Sequence, residues 1–148
     1  MVVSQIRDNV GVLIGDKHRV AGGSAFKFYA THRIWLSLVK PLTKTVRGVK
    51  NAYGIQVQAY CKKNKVSVPF RKCVFPVYFF HGVANNVANI QYLLSVSGSL
   101  DGFGMTKDEL KELLNTKIDK KLSERLTVQV QKTWYELESE FIVGESKY

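Results

Sequence analysis

The feature that most constrains this chain is a change in hydrophobic period near its middle. Tyr53, Ile55, Val57, Ala59 and Cys61 alternate with Gly54, Gln56, Gln58 and Tyr60, a period of two that predicts an antiparallel strand with one face exposed. Phe26 to Val39 is denser, with Phe28, Ala30 and Ile34 to Val39 apolar or aromatic. That density predicts a core strand covered on both faces and ended by Pro41. Thr43 to Asn51 reads as a basic connector, and Val74 to Phe80 as a further strand, with Pro69 and Pro76 at edges or bulges. Residues 1–4 read as the stub of a buried strand, followed by a short polar turn or helix from Gln5 to Asn9.

Beyond Asn85 the period becomes helical. Asn85 to Ser97 carries Val87, Ile90, Leu93 and Leu94, and Gly98, Gly102 and Gly104 interrupt it. Thr106 and Glu109 have capping-box spacing, followed by Leu110, Leu113, Leu114, Ile118 and Leu122. Leu126, Val130, Trp134, Leu137 and Phe141 mark another amphipathic stretch. These stripes read as core-facing surfaces, the alternative being a groove for a partner helix. The expected class is α/β: a mixed sheet in residues 1–97, then a small helical region in 98–148. A chain of 148 residues is long enough for one compact domain with its own core.

Charge follows the same division. Residues 1–80 hold 14 basic and 2 acidic groups, whereas residues 81–148 hold 8 basic and 10 acidic ones. So strong a basic field attracts polyanions and speeds encounter with them. Nucleic acid is the partner it fits; an anionic membrane, an acidic protein or a solubilising surface are the alternatives. The longest apolar clusters, around Val74 to Phe80, are too short to cross a bilayer, and no secretory signal is read at the start. Cys61 and Cys73 form no CxxC pair, and His18, His32 and His81 are dispersed. No disulfide framework, metal site or catalytic triad is expected, and a reducing compartment is the default.

Gly11, Gly15, Gly22 and Gly23 frame a polar, basic centre, Asp16-Lys17-His18-Arg19. Glycines here favour a surface loop that presents backbone N–H groups to phosphates, with Arg7, Lys17, Arg19 and Lys27 supplying positive charge. Val12, Leu13 and Ile14 either wedge between stacked bases or anchor the loop in the core. Trp35, Trp134, Tyr53, Tyr60, Phe75 and Phe79 read as packing residues, base stacking being the alternative for the last four.

The run Ser4-Gln5-Ile6-Arg7, then Val10 to Gly15, then Gly22-Gly23-Ser24-Ala25-Phe26-Lys27-Phe28-Tyr29-Ala30, resembles the second DNA-binding loop of bacterial and phage RecA-type recombinases. Lys63-Asn64-Lys65, with Val66, Pro69 and Phe70, resembles the family's K-N-K-x-x-x-P-F turn. The resemblance covers the basic half; the last fifty residues resemble the family weakly. Ser4 stands where the family usually has asparagine, and His18-Arg19-Val20 replaces an acidic, threonine-rich centre.

The resemblance implies a partial RecA-like ATPase core in residues 1–97. Gln5, Lys63 and Lys65 would be nucleotide-sensing, the lysines reaching a neighbouring subunit's ATP. Arg7, Gly11, Val12, Leu13, Ile14, Gly15, Lys17, Arg19, Gly22, Gly23 and Lys27 would bind DNA. The phosphate-loop pattern G-x-x-x-x-G-K-[ST] does not occur in the 148 residues. The resemblance therefore reads as the C-terminal portion of a recombinase lacking its N-terminal phosphate-loop segment, a split product or a fragment. Such a chain would not be an ATPase alone, and would use ATP and Mg2+ only in a completed assembly. Its implied partners are single- and double-stranded DNA, an N-terminal ATPase segment or chain, and further copies in a filament, with no membrane. The implied setting is the cytoplasm of a bacterium or phage-infected host, and the implied role is homologous recombination, strand exchange and DNA repair. The competing readings are a non-catalytic DNA-binding or filament-modulating protein, and a basic structural protein whose helices bind another protein.

Overall fold

The computed structural model describes residues 1–8, 18–20, 25–96 and 98–142. Its elements run β1 (Ile6–Asp8), β2 (His18–Val20), α1 (Ala25–Tyr29), β3 (His32–Val46), β4 (Val49–Asn64), β5 (Lys72–Tyr78), β6 (Gly82–Val83), α2 (Asn85–Ser95), α3 (Lys107–Leu113) and α4 (Lys120–Glu140). β1 and β2 form a two-stranded antiparallel ribbon, and a four-stranded sheet runs in the order β3-β4-β5-β6. The strands of the larger sheet neighbour one another in chain order, as short antiparallel connections require. The α/β class expected from the sequence is observed. The chain divides into two compact units, Met1–Leu36 with Ala59–Lys72, and Ser37–Gln58 with Cys73–Tyr148.

In the first unit, residues 1–5 are exposed and belong to no element, so the expected strand stub is absent there. The expected single strand from Phe26 is instead a five-residue helix followed by β3. Ile34 and Leu36 are 61% and 63% exposed, so β3 is not covered on both faces within this chain. Apolar density records a tendency to be buried; it does not say what supplies the cover.

In the second unit β3 passes through Pro41 and reaches Val46. Proline is tolerated because β3 is an edge strand, where a missing N–H costs no ladder bond on the open side. The expected connector, 43–51, is a tight hairpin: Arg47 and Gly48 have φ of 50° and 82°. Two successive positive φ values are the signature of the type I′ turn, whose twist matches that of paired strands. Gly54 marks a close approach, since a Cβ there would lie 2.6 Å from the Val77 carbonyl oxygen.

The helices hold the core. Ile90 and Leu93 of α2, Phe103, Leu110 of α3 and Leu126 of α4 are its buried apolar residues. Thr106 accepts the Glu109 N–H at 3.3 Å while Glu109 accepts the Thr106 N–H at 2.7 Å, so the expected capping box starts α3. The helical spacing read through Leu122 is broken after Leu113, and Asp119 starts α4 by accepting the Leu122 N–H at 2.7 Å. Gly98, Gly102 and Gly104 all have positive φ.

A buried polar clamp ties the segment after α2 to α4. Gln129 Nε2 donates to the Ser99 carbonyl at 2.6 Å, Thr133 Oγ1 donates to the same oxygen at 3.3 Å, and Ser99 Oγ donates to the Leu93 carbonyl. Such bonds matter less for what they add than for what their loss exposes. Gln129→Ala is expected to lower unfolding free energy by about 1–3 kcal/mol in urea titrations, the cost of an under-satisfied buried acceptor. A change below the measurement error would show that the clamp does not bear on stability.

Candidate phosphate-binding site

The site is built where the end of β4 meets α1. Lys63 stands at the end of β4 and Lys65 in the bend that follows it. Their ammonium groups converge on α1. Lys63 Nζ donates to the Lys27 carbonyl at 2.6 Å and to the Phe28 carbonyl at 3.0 Å. Lys65 Nζ donates to the same Phe28 oxygen at 3.1 Å. The last carbonyls of a helix have no intrahelical partner and carry partial negative charge, so two cations there are favourably placed.

Asn64 shapes the exit from β4. Its side-chain oxygen accepts the Val66 and Ser67 N–H groups at 3.0 and 3.1 Å, an Asx-type turn. The Lys65 N–H donates to the Thr31 carbonyl at 3.0 Å, which fixes the backbone beside α1. Lys62 to Asn64 thus complete a strand and the bend follows at 65–67, where the resemblance had implied a turn at Lys63-Asn64-Lys65. Lys62 Nζ lies 3.9 Å from the centre of the Trp35 ring, a cation–π contact. Phe70 adopts φ 67°, a left-handed conformation rare for a bulky residue, while its N–H donates to the Cys61 carbonyl at 2.8 Å.

Cations crowd this site. Desolvation against the surrounding chain, then the charges of Lys65 and Arg33, hold the Lys63 pKa below the ordinary lysine value. An ammonium group has three donors. Among the described residues Lys63 directs two of these to α1 and Lys65 one, which leaves three N–H groups that can serve an anionic oxygen.

Of the residues expected to sense nucleotide, the structure brings Lys63 and Lys65 together. Among the described residues no contact joins Gln5 to either lysine; Gln5 is exposed and immediately precedes β1. Arg7 and Arg19 face each other in register across the β1–β2 ribbon, with Ile6 opposite Val20 and Asp8 opposite His18. Gly11, Val12, Leu13, Ile14, Gly15, Lys17, Gly22 and Gly23 lie outside the described residues. Lys27 enters the lysine site through its backbone carbonyl. The sequence reading missed Arg33, the Phe28 carbonyl and the Trp35 contact. Only Asn64, set between two lysines, gave a local signal. Among the described residues no cluster of three or more His, Cys, Asp or Glu is placed to hold a metal ion, and no helix is long and apolar enough to cross a membrane.

A family model described as the RecA N-terminal domain matches residues 1–84. Protein RecA of Caulobacter sp. (strain K31) is 28% identical over 152 residues, covering 96% of this chain and 41% of the relative. Protein RecA of Porphyromonas gingivalis (strain ATCC 33277) is 30% identical over 139 residues, covering 87% and 39%. Protein RecA of Trichodesmium erythraeum (strain IMS101) is 35% identical over 83 residues, covering 56% and 22%. The chain spans about two fifths of the length of the first two of these relatives.

The match at residues 1–84 corrects one expectation. This half was expected to be the C-terminal portion of a recombinase lacking its N-terminal segment, yet it carries N-terminal-domain sequence. The expectation had rested on a missing phosphate-loop motif. A short motif reports on local chemistry and does not assign the remaining residues to a domain.

Crowding in the site gives a titration prediction. In Lys65→Gln the Lys63 ammonium loses its nearest like charge and should keep its proton to higher pH than in the parent. Heteronuclear NMR of the lysine side chains reads this directly; an unmoved or lowered Lys63 pKa would refute the crowding.

Proposed function

This chain belongs to the family of the RecA N-terminal domain, and from that membership we propose that it serves ATP-dependent homologous recombination and strand exchange. In this reading Gln5, Lys63 and Lys65 sense the terminal phosphate of a nucleotide. Arg7, Lys17, Arg19 and Lys27 supply cations to the DNA backbone, and the glycines Gly11, Gly15, Gly22 and Gly23 let backbone N–H groups approach it. Val12, Leu13 and Ile14 supply the apolar wedge between base steps. The observation that carries the reading is the convergence of Lys63 and Lys65 on one oxygen with donors to spare.

DNA partners follow from the charge. Fourteen basic against two acidic groups in residues 1–80 favour a polyanion without demanding a sequence, as pairing of arbitrary homologous strands requires. The proposed partners are single- and double-stranded DNA and further copies of the chain in a filament, in the cytoplasm of a bacterium or a phage-infected host. ATP and Mg2+ are the proposed cofactors, with Lys63 and Lys65 holding the phosphate end through charge-assisted hydrogen bonds. Residues 1–97 form part of a RecA-like core, and residues 98–148 a helical region that follows it.

Binding to single-stranded and duplex DNA over a salt series tests the loop. Log affinity is expected to fall linearly with log salt and to show little sequence preference. Alanine at Arg7, Lys17, Arg19 and Lys27 together should flatten the duplex slope by up to about 0.9 per lost contact. An unchanged slope would remove the loop from the DNA interface. DNA binding that is intact but indifferent to nucleotide would favour a non-catalytic, filament-modulating protein.

A further inference from the structure

β3 and β4 run on past the strand that flanks them. The Phe79 N–H, one residue beyond β5, donates to the Tyr53 carbonyl of β4 at 3.1 Å. There the chain doubles back: the His81 N–H donates to the Tyr78 carbonyl at 3.1 Å, and β6 sets Gly82 in register with Tyr78. Residues 43–46 of β3 and 49–52 of β4 continue as a ribbon of two strands, closed by the Arg47-Gly48 turn. Every residue from Thr43 to Tyr53 is exposed. Neighbours on a strand point to opposite faces, so among the described residues nothing covers either face of this ribbon.

The ribbon's composition suits an anion. Lys44, Arg47 and Lys50 cluster at its tip, and no carboxylate occurs in the sequence between Asp16 and Asp101. Arg47 has φ 50°, a left-handed conformation that glycine or asparagine adopts at less cost. A guanidinium kept at so unfavourable a place points to a use for the side chain. Val46 and Val49, on either side of the turn, are 56% and 60% exposed.

We propose that the β3–β4 ribbon is a second DNA-binding surface, one that enters the major groove of a duplex tip first. The proposal rests on the reading of DNA as this chain's partner, and adds a surface that the glycine-rich loop does not include. Dimensions support it. Four residues at about 3.4 Å each project about 13 Å. The major groove of B-DNA is about 12 Å wide and about 8.5 Å deep, and it admits a two-stranded ribbon. Lys44, Arg47 and Lys50 reach the phosphates beside the groove or guanine edges within it, while Val46 and Val49 meet thymine methyl groups. Single strands are a poorer fit. Proteins that hold them stack bases on aromatic rings, and residues 43–52 contain no aromatic residue. Duplex RNA fits worse again, because its major groove is too narrow for side chains to read.

Fluorescence anisotropy of labelled duplex DNA with the full 148-residue chain tests the ribbon. Lys44→Gln, Arg47→Asn and Lys50→Gln together should weaken duplex binding by roughly tenfold or more and flatten its salt slope by up to about 0.9 per lost contact. Arg47→Asn alone keeps the turn, since asparagine suits a positive φ, and should still weaken duplex binding by about two- to fivefold. Binding to one strand alone, and to duplex RNA of the same sequence, should change by less than about twofold. Methyl green, which occupies the major groove, should compete with the ribbon, and netropsin, which occupies the minor groove, should not. Duplex affinity that survives the triple substitution but falls when Arg7, Lys17, Arg19 and Lys27 are replaced overturns the ribbon and spares DNA as the partner. Equal losses on all three nucleic acids overturn entry into the groove. So does a ribbon that binds phosphatidylglycerol vesicles and leaves duplex DNA alone. A chain that binds no DNA overturns the ribbon and the reading beneath it.

Discussion

Residues 1–80 carry 14 cations and 2 anions, and that shortage of carboxylates governs how this half of the chain can be put together. A protein with balanced charge neutralises its lysines with neighbouring acids, as the helical half does with Lys111–Asp108 at 2.8 Å and Lys132–Glu136 at 3.8 Å. Near α1 Lys63 and Lys65 turn instead to neutral partners, the backbone carbonyls of Lys27 and Phe28. A carbonyl dipole orients a cation without cancelling its charge. A row of carboxylates in the same places would have given a comparable surface with no attraction for phosphate.

The β1–β2 ribbon is short: three pairs of residues, with Arg7 in register with Arg19. So small a ribbon gains little from its own pairing and depends on what packs beside it.

How much of this was legible in the sequence depended on whether the signal was local. The α3 capping box was legible because Thr106 and Glu109 satisfy each other within a single turn. The helices of the second half were legible because their stripes meet within this chain, with Ile90, Leu93, Leu110 and Leu126 in one cluster. β3 was misjudged for the opposite reason: Ile34, Leu36 and Leu38 have a buried residue's chemistry and remain more than 60% exposed. The Arg47-Gly48 turn was hidden because arginine is not a usual residue for positive φ, so the segment looked like a connector. In the candidate site, Lys63 and Lys65 were visible as a pair through a family resemblance, while their partners were not. Main-chain oxygens 35 to 37 residues away leave no mark on side-chain pattern.

Stability and binding fall on different parts of the chain. Among the described residues the hydrophobic core cluster lies in the helices and in Phe103 between them, together with the Ser99–Gln129–Thr133 clamp. Of the residues read as binding anions, the described ones lie on two three-residue strands, a one-turn helix and the end of a long strand with the bend after it. Segments with little burial open at low free-energy cost, and binding energies of a few hydrogen bonds suffice to shift them. α1, five residues long, is such a segment, and the helical core is not.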